Sequence, residues 1–268
     1  MSAGGTSDAA EAARAAVQTA AEAAFGVRFV SFEPVHQGNS SENYRAETAD
    51  GRKYFVKAAR ASAVRTVMER TLAVSSPLVP ALAFGGATAE LDGGKRLVCA
   101  FEWAPPGVSV PPWLLTPAQL RAIADGYREL SRAFGGKIHG DFHYKNFFLD
   151  GDRLSACFDL EKMRDGLPTE DLLRIFAHAL ERTRFWKHKR LAAVFRNFAS
   201  LVAVSGYPRE MWLDAIDRYE RHKLERRLKK ARFPLFASIE AALRRPLYSR
   251  LRAIVDAARA SNPPAVMP

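Results

Sequence analysis

Ile138-His139-Gly140-Asp141-Phe142-His143-Tyr144-Lys145-Asn146 is followed by an apolar stretch and then by Phe158-Asp159-Leu160-Glu161. The segment places a carboxylate able to receive a proton, Asp141, five residues before an amide able to bind a metal ion, Asn146. A second carboxylate, Asp159, arrives on what reads as the next strand. This set suits phosphoryl transfer, in which magnesium holds nucleotide phosphates and an aspartate orients the attacking hydroxyl. The spacing closely follows His-x-Asp-x-x-x-x-Asn. A plain polar turn is the bland alternative, since Gly140 and Asp141 suit a turn that Asn146 would cap. Four polar positions in register, flanked by Phe147-Phe148-Leu149 and Leu154 to Phe158 as a hairpin, make that a poor account. A zinc site would need His139 and His143 on one helical face; Gly140 and the following hairpin argue against a helix, and no cysteine stands nearby.

On these residues the chain resembles the aminoglycoside phosphotransferase and choline kinase-like family of the protein-kinase-like fold. His139-Gly140-Asp141-Phe142-His143 with Asn146 looks like that family's His-Gly-Asp-x-His-x-x-Asn loop, and Asp159-Leu160-Glu161 resembles its metal-binding segment. The resemblance implies Asp141 as the catalytic base and Asn146 and Asp159 as ligands of Mg2+. It also implies ATP as donor and a hydroxyl of a small molecule or sugar as acceptor. Gly140 and His143 point to the small-molecule branch rather than to protein kinases. The resemblance covers residues 35 to 175.

The remaining parts of such a machine occur upstream in the required order. Lys53 to Ala58 is a β-rich run in which Lys57 resembles the strand lysine that contacts the α- and β-phosphates. A helical stretch from Ser62 to Val74 follows, from which Glu69 is expected to pair with Lys57. Gln37 to Tyr44 is the candidate phosphate-covering turn, read through Gly38 and Ser41. It holds one glycine where the protein-kinase loop has three, and an ordinary hairpin turn fits it equally. Arg96 to Gly107 reads as a strand entering a Pro-Gly connector. By analogy this is the hinge, with Glu102 and Ala104 offering backbone groups to adenine.

At 268 residues and 48% hydrophobic, the chain can fill two cores. The expected class is α+β, a bilobal protein-kinase-like fold with a small β-rich N-lobe and a larger helical C-lobe. Residues 1–24 read as a helical extension, 25–107 as the nucleotide-binding lobe, and 108–268 as the catalytic and acceptor-binding lobe. Strands are expected at 28–35, 44–49, 53–58, 81–85 and 96–102, with a short extra strand at 88–92. Thr116-Pro117 opens a helix striped by Leu120, Ile123, Ala124, Tyr127 and Leu130. Thr169 opens another, whose Asp171 either braces the catalytic loop, as the resemblance implies, or serves the helix dipole. Further helices are expected at 188–204, 209–230, 234–245 and 247–260. Cys99 and Cys157 fall in strands and read as buried, reduced and structural.

The net charge of +11 is uneven. Residues 218–259 hold thirteen Lys and Arg against four Asp and Glu, leaving +9 in this segment. Such a stretch attracts acidic substrates or anionic surfaces, although a solvated helix face is the default. An anionic membrane surface or glycolipid is therefore a candidate partner through 218–259, and nucleic acid is not, for want of a binding module. The acidic, interspersed N-terminal charges do not make a signal peptide, and no window approaches a membrane span. The location expected is cytoplasmic, with peripheral attachment to the inner face of the membrane as an option. The alternatives to a general small-molecule kinase are a lipopolysaccharide core-sugar kinase at that surface and a pseudokinase acting through the basic tail.

Overall fold

The computed structural model describes residues 5–35, 41–91, 94–104, 107–182, 188–230 and 234–260. The chain divides into two compact units, one of residues 1–105 with 156–161, the other of 106–155 with 162–268.

The first unit is a five-stranded antiparallel sheet with a helix on each face. Its elements are α1 (Gly5–Phe25), β1 (Phe29–Pro34), β2 (Glu42–Thr48), β3 (Lys53–Ala59), α2 (Ala61–Leu72), β4 (Leu82–Leu91) and β5 (Gly94–Glu102). The strand order is β1-β2-β3-β5-β4. Side chains alternate across a strand, so Tyr54, Val56 and Ala58 of β3 join Val17 and Ala21 of α1 in one core. Ala59 of β3, with Cys99 and Phe101 of β5, joins Val64 and Val67 of α2 in the other. Lys57 shares the parity of Ala59 and so lies on the α2 face of the sheet. The two strands expected at 81–85 and 88–92 are one strand, β4, with register shifts between Leu82 and Phe84 and between Gly85 and Ala87. The Gly85-Gly86 pair looks like a break in sequence and is absorbed as a bulge.

The second unit is mostly helical. Thr116 caps α3 (Pro117–Ala133) through a capping box with Gln119, and the predicted stripe Leu120, Ile123, Ala124, Tyr127 and Leu130 is buried. Short strands follow: β6 (Lys137–Ile138), β7 (Phe147–Asp150), β8 (Arg153–Cys157) and β9 (Arg164–Asp165). β6 pairs with β9, and β7 with β8. A 3-10 turn covers Leu160–Lys162. Then come α4 (Pro168–Arg182), α5 (His188–Ser205), α6 (Arg209–Lys230) and α7 (Pro234–Ala260).

The break expected before residue 247 is absent, because α7 runs through Pro246 as one helix. Proline removes one backbone donor and clashes with the preceding turn. Here the turns beyond it are anchored by buried Tyr248, Leu251 and Val255. The basic segment is not one apolar-backed tail. Trp212, Ala215, Ile216 and Tyr219 are buried in the first half of α6, whereas Leu228 further along is exposed. Many of its cations are committed locally: Lys223 to Glu181, Arg218 to Asp214, and Arg252 to Asp217 and Glu220. No helix among the described residues is long and apolar enough to cross a membrane. Cys99 and Cys157 are buried and form no disulfide, and burial pushes the Cys99 pKa up to about 12.

Candidate active site

In the first unit, Lys57 is 7% exposed and its Nζ lies 2.9 Å from Asp159 Oδ1 and 3.8 Å from Glu161 Oε2. These two carboxylates, not Glu69, are its partners, which corrects the expected ion pair. Glu69 is exposed on α2, on the side away from buried Val64, Val67 and Thr71, and no described residue pairs with it. Its neighbour Arg70 points inward instead and donates to the carbonyl oxygen of Leu160, at 3.1 Å, and to that of Glu161. Arg70 thereby holds the turn that presents Asp159 and Glu161. Asp159 has φ 62°, the one positive φ among described residues other than glycine. Such a backbone costs an L-residue roughly 1–2 kcal/mol.

Gly38 lies outside the described residues. The Ser41 hydroxyl donates to Asn43 Oδ1 at 3.2 Å. At the end of β5 the Glu102 N–H is committed to the Ala81 carbonyl at 2.9 Å, while the Ala104 N–H has no partner among the described residues. The N–H of Ala104 is thus left as a donor at the end of this strand.

In the second unit the loop after β6 is built around one buried carboxylate. Asp171, 1% exposed, accepts from the backbone N–H of His139 at 2.6 Å, from that of Gly140 at 2.9 Å, and from the Tyr127 hydroxyl at 2.5 Å. Of the two roles weighed for Asp171, this is the brace. Burial raises its pKa, against the pull of His139, the tyrosine hydroxyl and the two N–H groups. Gly140 has φ +76°, and an added Cβ would collide with the Lys162 carbonyl. Glycine alone meets both conditions. Gly140→Ala is therefore expected to cost about 2 kcal/mol or more, read as a lowered urea midpoint with an unchanged slope.

Asp141 follows at once, 13% exposed. Arg174 Nε donates to its Oδ1 at 2.8 Å, and the Lys162 ammonium is bonded to its Oδ2. Burial pushes its pKa up, but the Lys162 hydrogen bond and the charges of Arg174 and Lys162 outweigh it and hold the carboxyl at about 2. His143 is pushed down, first by burial and then by Arg174 and His139, against the pull of Asp141. Its ring lies tilted against that of His178, with centroids 4.6 Å apart. Asn146 donates from Nδ2 to the Asp141 carbonyl at 3.0 Å, which fixes the amide and leaves Oδ1 without a partner among the described residues. A free amide oxygen fits a hard cation, as does the second oxygen of Asp159. No group of three or more His, Cys, Asp or Glu gathers for a metal among the described residues. Magnesium needs only one or two protein carboxylates, the rest of its shell being phosphate and water.

Sequence reasoning missed Lys162, Arg174 and Arg70. Arg174 stands one helical turn after Asp171, so the helix that braces the loop also aims a guanidinium at it.

The residues around the loop carry a family match. Residues 131–213 match the phosphotransferase enzyme family. This is the family read from the His139 to Asn146 segment. No curated protein matches the chain. Among solved structures, a thermostable mutant of aminoglycoside phosphotransferase APH(4)-Ia, in ternary complex with ADP and hygromycin B, aligns with TM-score 0.54 at 14% identity. It covers 93% of this chain and 100% of that one. A further structure of aminoglycoside phosphotransferase APH(4)-Ia aligns with TM-score 0.55 at 15% identity over 90% and 98%. The GDP complex of wild-type aminoglycoside 2'-phosphotransferase-IIIa gives 0.53 at 10% identity over 93% and 99%. At these identities the likeness establishes the fold, which is the α+β phosphotransferase fold expected, with an antiparallel sheet unit and a helical unit.

Proposed function

We propose that this protein is an ATP-dependent phosphotransferase acting on a hydroxyl of a small molecule or sugar. The observation that carries the reading is Asp141 itself: an ionised, largely buried carboxylate on a loop that Asp171 braces and Gly140 makes possible. The family match over 131–213 and a neighbour solved with ADP support it. Neither the membrane-surface alternative nor the pseudokinase alternative gains support from these comparisons.

In this reading Asp141 accepts a hydrogen bond from the acceptor hydroxyl and orients its oxygen toward the γ-phosphorus. The new O–P bond forms as the bond from γ-phosphorus to the bridging oxygen breaks, and the electron pair leaves with ADP. A carboxylate with a pKa of about 2 takes the proton late, as suits a loose transition state that asks for positioning more than for basicity. Asn146 and Asp159 would hold magnesium, which supplies charge neutralisation on the phosphates when bound. Lys57 would meet the α- and β-phosphates, Glu161 helping to place it. Ala104, with the carbonyl of Glu102, would meet the adenine edge; Ser41 and Gly38 would lie over the phosphates.

Transfer from γ-labelled ATP to a panel of hydroxyl compounds tests this. Labelled product is expected with magnesium and none after chelation by EDTA. Lys57→Met is expected to lower kcat/KM for ATP by about 10²–10³-fold. Equal labelling with and without divalent cation would overturn the assignment of Asn146 and Asp159.

A further inference from the structure

The surroundings of Asp141 carry more positive charge than its own neutralisation requires. Both of its oxygens are taken by cations, Arg174 on one and Lys162 on the other, so one carboxylate faces two positive charges. Lys162 is 58% exposed and open to solvent. A stripe of α6 adds to them. Arg218, His222 and Arg226 stand four residues apart and therefore on one helix face. Arg218 fixes the direction of that face, reaching Glu170 in the first turn of α4 at 3.6 Å. Glu170 also takes Arg164 at 2.6 Å, and Arg218 holds Asp214 at 2.8 Å besides, so these two guanidinium groups are answered by two acids and the unmatched charge on this face is that of Arg226. Arg226 is exposed and has no ion pair among the described residues. His222 senses the sum: besides burial, Arg174, Lys223, Arg164 and Arg226 all push its pKa down.

We propose that the acceptor is an anionic hydroxyl compound, a phosphomonoester, whose phosphate is held by Arg174 and the His222–Arg226 stripe while its hydroxyl meets Asp141. This rests on the phosphotransferase reading and specifies the acceptor that such a site takes. Guanidinium groups bind phosphate through paired N–H donors, and a dianion answers the excess charge that one carboxylate leaves. A polycationic acceptor would meet like charge at the point where its hydroxyl has to dock.

The test uses the full chain saturated with magnesium and AMP-PNP, so that the nucleotide site is filled. Glycerol 3-phosphate, inorganic phosphate, glycerol and kanamycin are titrated by calorimetry at constant ionic strength. Glycerol 3-phosphate is expected to bind saturably and at least tenfold more tightly than glycerol or kanamycin. Arg226→Gln, which leaves Asp141 and its two cations in place, is expected to weaken it at least tenfold, as is Arg174→Gln. Arg221→Gln, on a different face of α6, is expected to leave it unchanged. Competition by inorganic phosphate, weakened by the same two variants, supports the same site through its phosphate group. Tighter binding of kanamycin, or phosphate binding indifferent to Arg226 and Arg174, overturns the proposal. A parallel transfer assay separates the two readings. Labelling of kanamycin while glycerol 3-phosphate fails to bind sinks the anionic acceptor and keeps the kinase. Phosphate binding that depends on Arg226, alongside turnover indifferent to Asp141→Asn, does the reverse.

Discussion

Asp141→Asn is expected to lower phosphoryl transfer by about 10²–10⁴-fold while nucleotide affinity changes by no more than about threefold. The amide keeps the size of the side chain and removes the charge proposed to orient the hydroxyl. It also leaves Lys162 and Arg174 facing a neutral group, so the variant loses both the acceptor for the proton and the compensation of two cations. The pH dependence of the parent protein follows from the same pair of contacts. A carboxyl held at about 2 stays ionised well below neutrality. Its folded pKa lies under the usual value near 3.8, so its ion pairs contribute stability in full above that value. The contribution is lost as pH falls from there toward 2. Between pH 5 and 8 the titration of Asp141 therefore changes neither rate nor stability, and an acid limb in that range would have to arise elsewhere. Single-turnover rates of both proteins across that range, with nucleotide affinity measured by calorimetry, check the expectation. Near-parental turnover in the variant would remove Asp141 from the chemistry.

Asp171→Ala is expected to have the largest effect on folding. One buried carboxylate satisfies three donors, the N–H groups of His139 and Gly140 and the Tyr127 hydroxyl. Removing it takes this acceptor from all three in the interior, each at about 1–3 kcal/mol. A loss of about 3 kcal/mol or more follows, which for a chain of this size lowers the melting temperature by roughly 6–12 °C. Activity should fall by more than the folded fraction, because the loop carrying Asp141 hangs from those bonds. Asp171→Asn retains one accepting oxygen and is expected to fall between the parent and the alanine variant. Thermal melts read beside specific activity per folded molecule would separate the two losses. A melt within 1–2 °C of the parent would show that other contacts hold the loop.

Much of this was written in short stretches of sequence. The loop from His139 to Asn146 announces itself because its chemistry and its spacing coincide within eight residues. The helix opened by Thr116-Pro117 was equally plain, since a capping box and a five-residue apolar stripe agree. What escaped depends on long-range placement. Arg174 and Lys162 meet Asp141 across 33 and 21 residues, and nothing local says which of forty Lys and Arg will do so. The Lys57–Glu69 pairing failed for a related reason. The stripe of Val64, Val67 and Thr71 fixes how α2 is rotated against the sheet, and that rotation turns position 69 outward and Arg70 inward. Pro246 misled in the opposite sense, because local propensity read as a break while the burial of Tyr248, Leu251 and Val255 beyond it anchors the helix that continues.

The backbone at Asp159 has a consequence of its own. Glycine would occupy a left-handed turn at lower free energy than any residue bearing a Cβ. Aspartate stands there with φ 62° and an ammonium group 2.9 Å from its carboxylate. The turn alone would favour the smaller residue, so what fills this position answers to its carboxylate and not to its backbone. If Asp159 holds the metal ion as proposed, selection for thermal robustness and selection for metal binding pull on this one residue in opposite directions.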